Sequence, residues 1–501
     1  MDIFDGLVLG FSTATTLTNF LYCFLGVLLG TAVGVLPGVG AIATISMLLP
    51  FTFGLPVDTA LIMLAGIFYG TQYGGSTTAI LMNLPGEASS VVTTLDGHAM
   101  AKQGRAGRAL AAAAIGSFFA GTVGTLFIVI AAPLLASFAL TFGPAEYFSL
   151  IVLGLVTSMV LTSGSLLTAF GMVLLGILLG MIGTDINSGA ARYTFGSPNL
   201  LDGLNFVVVA TGIFGLGDVL ANLDTEKRGA AGIAAVKGLF PSREDWRRMS
   251  LPIVRGTGIG VLLGVLPGAG VLLASFSSYA LEKKISPHPE QFGQGAIEGV
   301  AGPEAANNAA AQTCFIPMLT LGLPGTATMA LMIGALIIQG VQPGPEILTQ
   351  QPALFWGLVV SMWIGNMMLL VLNLPLVGMW AKLISVPYRF LFPMICVFTT
   401  IGVYSINNSV VDVYLMALFG VLGYFFRKVG AEPAPLILAL ILGPMAEEYL
   451  RRTLLLSHGD ASVFVTSPLS LGTLAIAAVL LLSIVSPRFR KVREEGLQEA
   501  D

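Results

Sequence analysis

The sequence predicts an all-α polytopic membrane protein, and three observations carry this prediction. Of the 501 residues, 55% are hydrophobic and only 10% are charged, whereas a soluble domain carries about 25% charged residues. The apolar residues form long runs with almost no charge, and a run of about 20 residues crosses a hydrocarbon core as a helix. Most basic residues lie in a few clusters between these runs. We therefore expect about 11–12 transmembrane segments.

The apolar runs follow one another along nearly the whole chain. Short polar or basic stretches separate most of them. They lie at 17–36, 59–82, 109–137, 147–163, 166–183, 205–223, 251–282, 307–340, 353–381, 390–405, 410–426, 434–445 and 470–486.

The clusters of Lys and Arg orient the chain, because these residues favour cytoplasmic loops. None occurs before Lys102, and the first cluster ends at Arg108. Four apolar runs separate Arg108 from Lys227, which returns the chain to the same side. The last cluster, at 488–493, follows the final run. These positions predict a cytoplasmic C-terminus and a periplasmic N-terminus.

A duplicated motif divides the chain into two halves. "GVLPGVG" at 34–40 returns as "GVLPGAG" at 264–270, and "LMNLPGEASS" at 81–90 parallels "LTLGLPGTAT" at 319–328. Paired breaks in apolar segments are the sequence pointer to a transporter built from inverted repeats. Twelve simple spans with parallel repeats are the alternative. The predicted units are a first repeat at 1–225, a basic cytoplasmic linker at 226–250, a second repeat at 251–450, and a terminal helix with a basic tail at 451–501.

Each "GVLPG" motif is expected at the tip of a re-entrant hairpin. The run at 251–282 starts beside Arg255 and ends at Lys283, so both of its ends are predicted on the cytoplasmic side. Its two arms are shorter than the roughly 20 residues that a full crossing needs. The segment at 17–53 has no basic residue at either end and is predicted to enter from the opposite side.

The Pro-Gly breaks predict a site for an organic anion. A helix that starts inside the membrane exposes unpaired N–H groups and the positive end of its dipole, which together bind carboxylates. If breaks from opposite repeats meet at mid-membrane, they can hold several carboxylates of one solute. The substrate-binding candidates are Pro37, Gly38, Gly40, Thr44, Ser76, Thr77, Asn83, Pro85, Gly86, Pro267, Gly268, Gly270, Asn307, Asn308, Pro324, Gly325 and Thr326.

Ion coupling is assigned to polar residues near the breaks. Ionisable groups at membrane depth are costly and indicate function. The candidates are Glu87, Glu304, Gln312 and Thr313. The structural alternatives are that Glu87 caps the following helix, that Glu304 lies in a cytoplasmic segment, and that the hydroxyl and amide groups join neighbouring helices.

Four stretches together resemble the large membrane subunit, TctA, of the tripartite tricarboxylate transporters. They are "GVLPGVGAIATISMLLPF", "FYGTQYGGSTTAILMNLPGEASSVVTTLDGHAMAKQGRAGRAL", "GVLPGAG" and "TLGLPGTATMALMIGALIIQGVQPGPEI". The resemblance implies a subunit of the bacterial inner membrane that pairs with a small membrane subunit, TctB, and receives solute from a periplasmic binding protein, TctC. It also implies import of citrate or other carboxylates, driven by a Na⁺ or H⁺ gradient.

Other classes of function find no support in the sequence. It contains no G-x-x-x-x-G-K-[ST] phosphate loop, no H-E-x-x-H and no G-x-S-x-G, so no enzyme is expected. The cysteines and histidines lack metal-ligand spacing, and Na⁺ as a coupling ion is the one cofactor considered. The expected partners are a lipid bilayer and a carboxylate, with no nucleic acid. The alternative functions are a stand-alone anion channel and a secondary transporter that needs no binding protein.

Overall fold

The computed structural model describes residues 2–36, 40–160, 165–185, 188–225, 236, 238–266, 270–384 and 388–485. Helices account for nearly all of its regular structure, which confirms the all-α fold class. The strands in the described ranges are β1, Gly183–Thr184, and β2, Ala191–Arg192, which pair antiparallel with Gly183 opposite Arg192.

The first half holds the following elements. Its α-helices are α1 Ile3–Ala14, α2 Leu17–Gly34, α3 Ala41–Leu48, α4 Val57–Met82, α5 Val91–Thr93, α6 Ala99–Lys102, α7 Ala106–Ala139, α8 Pro144–Val160, α9 Leu166–Gly180, α10 Phe206–Ala210 and α11 Gly217–Thr225. Short 3-10 helices lie at Leu49–Thr52, Ala88–Ser90 and Pro198–Leu200, and π-helical turns at Thr94–His98 and Thr211–Leu216.

The second half begins after the basic linker. Its α-helices are α12 Arg243–Gly264, α13 Gly270–Ile285, α14 Glu298–Thr313, α15 Phe315–Leu321, α16 Ala327–Ile338, α17 Ile347–Gln350, α18 Pro352–Asn373, α19 Val377–Ile384, α20 Tyr388–Asn407, α21 Val410–Lys428, α22 Ala434–Leu456, α23 Val463–Thr466 and α24 Pro468–Val485. One 3-10 helix lies at Pro289–Gln291.

Four of the described helices, α2, α7, α18 and α21, are long and apolar enough to cross a membrane. Several predicted runs are divided more finely than the sequence indicates. The run at 307–340 holds parts of three helices, because α14 ends before Cys314 and the chain leaves helical geometry again at Gly322, where φ is 67°. The number of spans stays a prediction, as do the boundaries of the two repeats.

Helices α2 and α3 form a hairpin against α4. Gly26 and Gly30 of α2 lie against the backbone of Met63 and Ile67 of α4, so the two helices run in the same direction. The start of α2 also meets the start of α4, since the Asn19 side chain donates to the Asp58 carboxylate (3.0 Å). Helix α3 therefore runs back toward the end at which α2 begins.

Helices α12 and α13 repeat this hairpin against α14. Gly256 and Gly260 of α12 lie against the backbone of Gly302 and Ala306 of α14. An ion pair between Arg255 of α12 and Glu282 of α13 (2.6 Å) joins the two ends of the hairpin. The described arms therefore have the predicted hairpin geometry in both halves. The tips, at 37–39 and 267–269, lie outside the described residues.

The two hairpins match residue by residue. Each first arm carries a glycine on every fourth position before its "LPG" motif, namely Gly26, Gly30 and Gly34 in one half and Gly256, Gly260 and Gly264 in the other. The residues that these glycines contact on α4 and α14 also stand at equal distances before the second "LPG" motif of each half. Small residues allow such close approach of helix backbones in membrane proteins. The duplication therefore extends to the packing of individual positions.

Corresponding helices of the two halves run in opposite directions where they meet. Ser76 of α4 bonds Glu304 of α14 (2.6 Å), while Phe68, earlier in α4, packs its ring 6.1 Å from that of Phe315, which comes later than Glu304. Equivalent contacts also join the halves in both directions. Helix α3 of the first half packs on α16 of the second, and α13 of the second half packs on the 3-10 helix Ala88–Ser90 of the first. This pairing favours the predicted inverted repeat, whose relation to the membrane stays a prediction.

The first basic cluster lies beside the start of the second half. Arg105 and Arg108 lie 3.9 and 3.5 Å from the carboxylate of Asp245, near the start of α12. Burial raises the pKa of this carboxyl, but hydrogen bonds from Ser242 and the two guanidinium charges outweigh it, and the pKa lies below its ordinary value. The basic stretches at 102–108 and 243–248 therefore share one face of the fold.

Candidate functional site

The second break of each half has the same backbone geometry. Helix α4 ends at Asn83, which takes a left-handed conformation (φ 60°), and α15 ends at the left-handed Gly322. Past the Pro-Gly pairs at Pro85–Gly86 and Pro324–Gly325, an extended residue starts the next helix in each half. In the second half that residue is Thr326, whose hydroxyl accepts from the N–H of Met329 (3.2 Å).

The two breaks of the first half touch each other. The Thr78 hydroxyl of α4 donates to the carbonyl of Val35, just past the end of α2 (3.0 Å). A Cβ placed on Gly86 would lie 2.6 Å from the carbonyl oxygen of Gly34 and 2.5 Å from the Cα of Gly75. Because a real Cβ does not approach so closely, this contact requires glycine at position 86.

A carboxylate of the protein itself lies at the start of α3. The backbone N–H of Ala41, the first residue of α3, donates to Glu87 Oε1. A Cβ on Gly40 would lie 3.3 Å from both oxygens of the same carboxylate. The start of α3 therefore binds a carboxylate of the protein itself, and Glu87 also caps the helix at Ala88–Ser90. A solute carboxylate at this position stays a prediction.

A cavity of about 660 Å³ lies beside Glu87 and the start of α3, where the two breaks of the first half meet. Among the described residues that line it, Arg427 is the one basic side chain, and it forms an ion pair with Asp218. The charged and glycine lining residues of the cavity are Gly40, Gly86, Glu87, Asp218, Arg427, Gly430 and Glu432. The described wall of this cavity thus combines a guanidinium group, three carboxylates and glycine residues that leave the backbone accessible to a ligand.

Sequence analysis missed Asp218 and Arg427. Asp218 falls inside the apolar run at 205–223, and Arg427 directly follows the run at 410–426, where a basic residue indicates only the orientation of the chain. The available signal was an isolated acid inside an apolar segment, since such a residue indicates function and needs a partner. The partner itself, more than two hundred positions away, leaves no trace in a single sequence.

A second polar cluster is buried around Glu304. Its side chain is 1% exposed, so Glu304 does not lie in an exposed segment. Its carboxylate accepts from the hydroxyls of Ser76 (2.6 Å) and Thr93. Asn308, one turn later on α14, donates to Ser117 of α7 (2.6 Å). Of the predicted residues, the structure therefore brings Ser76, Glu304 and Asn308 together across both halves.

Other predicted residues make local contacts. The hydroxyls of Thr44, Thr77 and Thr313 donate to carbonyls one turn earlier in their own helices (2.8, 3.2 and 3.1 Å). Asn307 and Gln312 are buried on α14, and within the described ranges neither side-chain oxygen has a hydrogen-bond partner.

The breaks of the second half are only partly described. Gly270 begins α13 and lies against Leu263. Gly325 has Cys314 and Pro317 of its own half as its nearest neighbours. Pro37, Gly38, Pro267 and Gly268 lie outside the described residues. The predicted meeting of all four breaks therefore stays a prediction.

The part of the chain that the structure describes contains no cluster of side chains typical of a transition-metal site. No group of three or more His, Cys, Asp or Glu side chains there is arranged to hold a metal ion. Cys23 and Cys314 are buried as free thiols, and Cys396 is partly buried.

The fold and the site together define a class of protein. Apolar helices in two matched halves, each interrupted by Pro-Gly breaks, form a multi-pass membrane protein of the transporter type. The chain belongs to the Tripartite tricarboxylate transporter TctA family, whose sequence model matches residues 20–438. It is therefore a component of a tricarboxylate transporter.

Two curated relatives come from Agrobacterium vitis. The "Uncharacterized 52.8 kDa protein in TAR-I ttuC' 3'region" is 56% identical over 501 residues, which cover 100% of both chains. The "Uncharacterized protein in TAR-II ttuC' 3'region" is 56% identical over 242 residues, 48% of this chain and 100% of that protein. No solved structure matches the chain.

Proposed function

We propose that this chain is the large membrane subunit of a binding-protein-dependent secondary transporter that imports organic carboxylates. A Na⁺ or H⁺ gradient drives the import by symport. A small TctB-like membrane subunit and a periplasmic TctC-like binding protein complete the system in the bacterial inner membrane. The C-terminus is cytoplasmic and the N-terminus periplasmic. The observation that carries this proposal is the cavity at the junction of the first two breaks.

The lining of this cavity suits a solute with more than one carboxylate. Arg427 supplies a guanidinium, whose planar fork binds carboxylates through two hydrogen bonds. The N–H of Ala41 supplies a second donor, which Glu87 occupies and a solute carboxylate can take over. A volume of about 660 Å³ lies within the range of small-molecule sites.

The charge of the cavity favours symport over simple anion passage. Among the lining residues that the structure describes, Glu87 and Asp218 place two carboxylates beside the Arg427 guanidinium. Like charges repel strongly at low dielectric, so an anionic solute enters favourably only with bound cations or protons. Co-entry of a cation is the defining feature of a symporter.

The test is uptake of labelled citrate and related acids by proteoliposomes that contain this chain and its small subunit. We expect uptake only when the binding protein and an inward Na⁺ or H⁺ gradient are both present. Flux without any gradient would support the anion channel instead. Gradient-driven uptake without the binding protein would support an independent secondary transporter.

Glu87→Gln should lower the apparent KM for the solute and alter the Na⁺ and pH dependence of uptake. A neutral amide holds the N–H of Ala41 less tightly than a carboxylate does, so the solute competes better, by about fivefold. Kinetics of uptake at varied Na⁺ and pH measure the effect. Glu290→Gln, which neutralises an exposed glutamate outside the cavity, serves as the control. Unchanged KM and unchanged ion profiles would leave Glu87 only its capping role.

A further inference from the structure

We infer that the buried cluster around Glu304 is a binding site for a single Na⁺ ion. This inference rests on the cation symport proposed above and names the ion and its ligands. The site is a small cavity between α4, α7, α14 and α18. Its polar lining residues are Tyr73, Ser76, Thr77, Ser117, Glu304 and Asn373.

The size of the cavity fits one ion. Its volume is about 10 Å³, close to the space of roughly 10–15 Å³ that one water molecule needs. A dehydrated Na⁺ ion occupies no more room than a water molecule. A carboxylate solute is far too large, so this cavity is distinct in function from the large one beside Arg427.

Three polar groups around the cavity direct their donors elsewhere. The Tyr73 hydroxyl donates to Asn366 Oδ1 (2.8 Å), and the Asn373 amide donates to the carbonyl of Leu369 (3.0 Å). The Thr77 hydroxyl also donates to a backbone carbonyl (3.2 Å). Oxygen lone pairs are therefore left for the cavity, and such a lining binds a cation rather than an anion.

Asn373 gives an independent sign of a ligand. Its side chain is only 5% exposed, and Oδ1 has no hydrogen-bond partner among the residues that the structure describes. Leaving a buried acceptor unpaired costs about 1–3 kcal/mol. Asn373 lines the same cavity as Glu304, and coordination of a cation there would satisfy this oxygen.

The charge of the site selects a monovalent ion. Glu304 is held by the hydroxyls of Ser76 and Thr93, and no basic side chain in the described ranges forms an ion pair with it. A buried charge is costly unless it is compensated. One Na⁺ neutralises the carboxylate, whereas a divalent ion would leave a buried positive charge. All of the available ligands are hard oxygens, as Na⁺ requires.

The origin of the ligands links this ion to the transport cycle. Tyr73, Ser76 and Ser117 belong to the first half, whereas Glu304 and Asn373 belong to the second. An ion that is bound by both halves stabilises the arrangement in which those halves are close together. By linkage it therefore shifts the conformational equilibrium that a solute also shifts.

The test measures Na⁺ binding to the purified full chain in detergent, with radioactive sodium and by the rise in Tm relative to choline at equal ionic strength. We expect one saturable site per chain in the wild type. Glu304→Gln should abolish both signals, and Asn373→Ala should weaken Na⁺ affinity by about tenfold, as loss of a supporting ligand does. Glu290→Gln, an exposed carboxylate on another segment, should bind as the wild type does.

Two results would overturn the site. The first is wild-type Na⁺ affinity in both Glu304→Gln and Asn373→Ala. The second is a wild-type Tm that responds to pH but never to Na⁺, which would make Glu304 a proton carrier. Either result leaves the proposed carboxylate import intact if uptake driven by a Na⁺ or pH gradient is still measured. Failure of the Na⁺ site is therefore distinguishable from failure of the proposed import.

Discussion

Gly260→Leu will prevent the chain from accumulating as a folded membrane protein. Position 260 lies where α12 crosses α14, and a Cβ there would be 2.7 Å from the Cβ of Ala309 and would also meet the backbone oxygen of Ala306. Backbone atoms cannot rotate away, so the helices must separate along the whole hairpin. Overpacking a core costs about 1–3 kcal/mol where side chains can adjust, and more is expected where they cannot.

Gly258→Leu provides the matched control for this substitution. It lies two positions away on α12, and nothing stands within 4 Å of a Cβ built there. Fluorescence-detected size exclusion of tagged protein, followed by a thermal melt, compares the two variants. We expect the Gly260→Leu peak to fall below about a tenth of wild type, and the Gly258→Leu peak to be unchanged. A monodisperse Gly260→Leu protein with the wild-type Tm would show that α12 and α14 do not pack through this glycine.

The hairpins could be predicted from the sequence because their signals are local. The repeated "GVLPG" motif, the short arms and the charged residues at both ends of 251–282 all lie within one segment. The glycine contacts between α12 and α14 could not be predicted in the same way. They depend on which helix face meets which neighbour: the four-residue spacing groups Gly260 with Gly256 and Gly264, but nothing in the sequence says that this face meets α14.

For the candidate site, the sequence indicated residue types but not which residues pair. The sequence indicated Glu87 and Glu304 as candidate functional acids, and for single hydroxyl residues such as Thr44 it favoured hydrogen bonds between helices. The Thr44 hydroxyl instead bonds the carbonyl of Gly40, one turn earlier. The sequence could not indicate that Glu87 bonds the start of α3 or that Glu304 meets Ser76 of the other half. Each contact joins segments that only the tertiary fold brings together.

Arg427→Gln should reduce carboxylate uptake by roughly 10- to 100-fold, since a hydrogen bond to a charged group contributes about 1.5–3 kcal/mol. Arg427 is the basic side chain of the large cavity, and its guanidinium is the strongest anion receptor in that wall. The substitution has a second effect, because it leaves the carboxylate of Asp218, whose side chain is 8% exposed, without its cation. Reduced uptake could then reflect an unstable protein as well as a lost receptor.

The double variant Asp218→Asn/Arg427→Gln separates these two effects. Removing both charges relieves the uncompensated carboxylate, so the Tm should return toward the wild-type value. Uptake should stay low, because the solute still lacks its guanidinium partner. Lys428→Gln removes the same charge from the adjacent residue, whose ammonium lies over the ring of Tyr424 (4.9 Å), and should transport normally. If the double variant instead recovers uptake together with stability, Arg427 serves only to neutralise Asp218, and the carboxylate binds elsewhere.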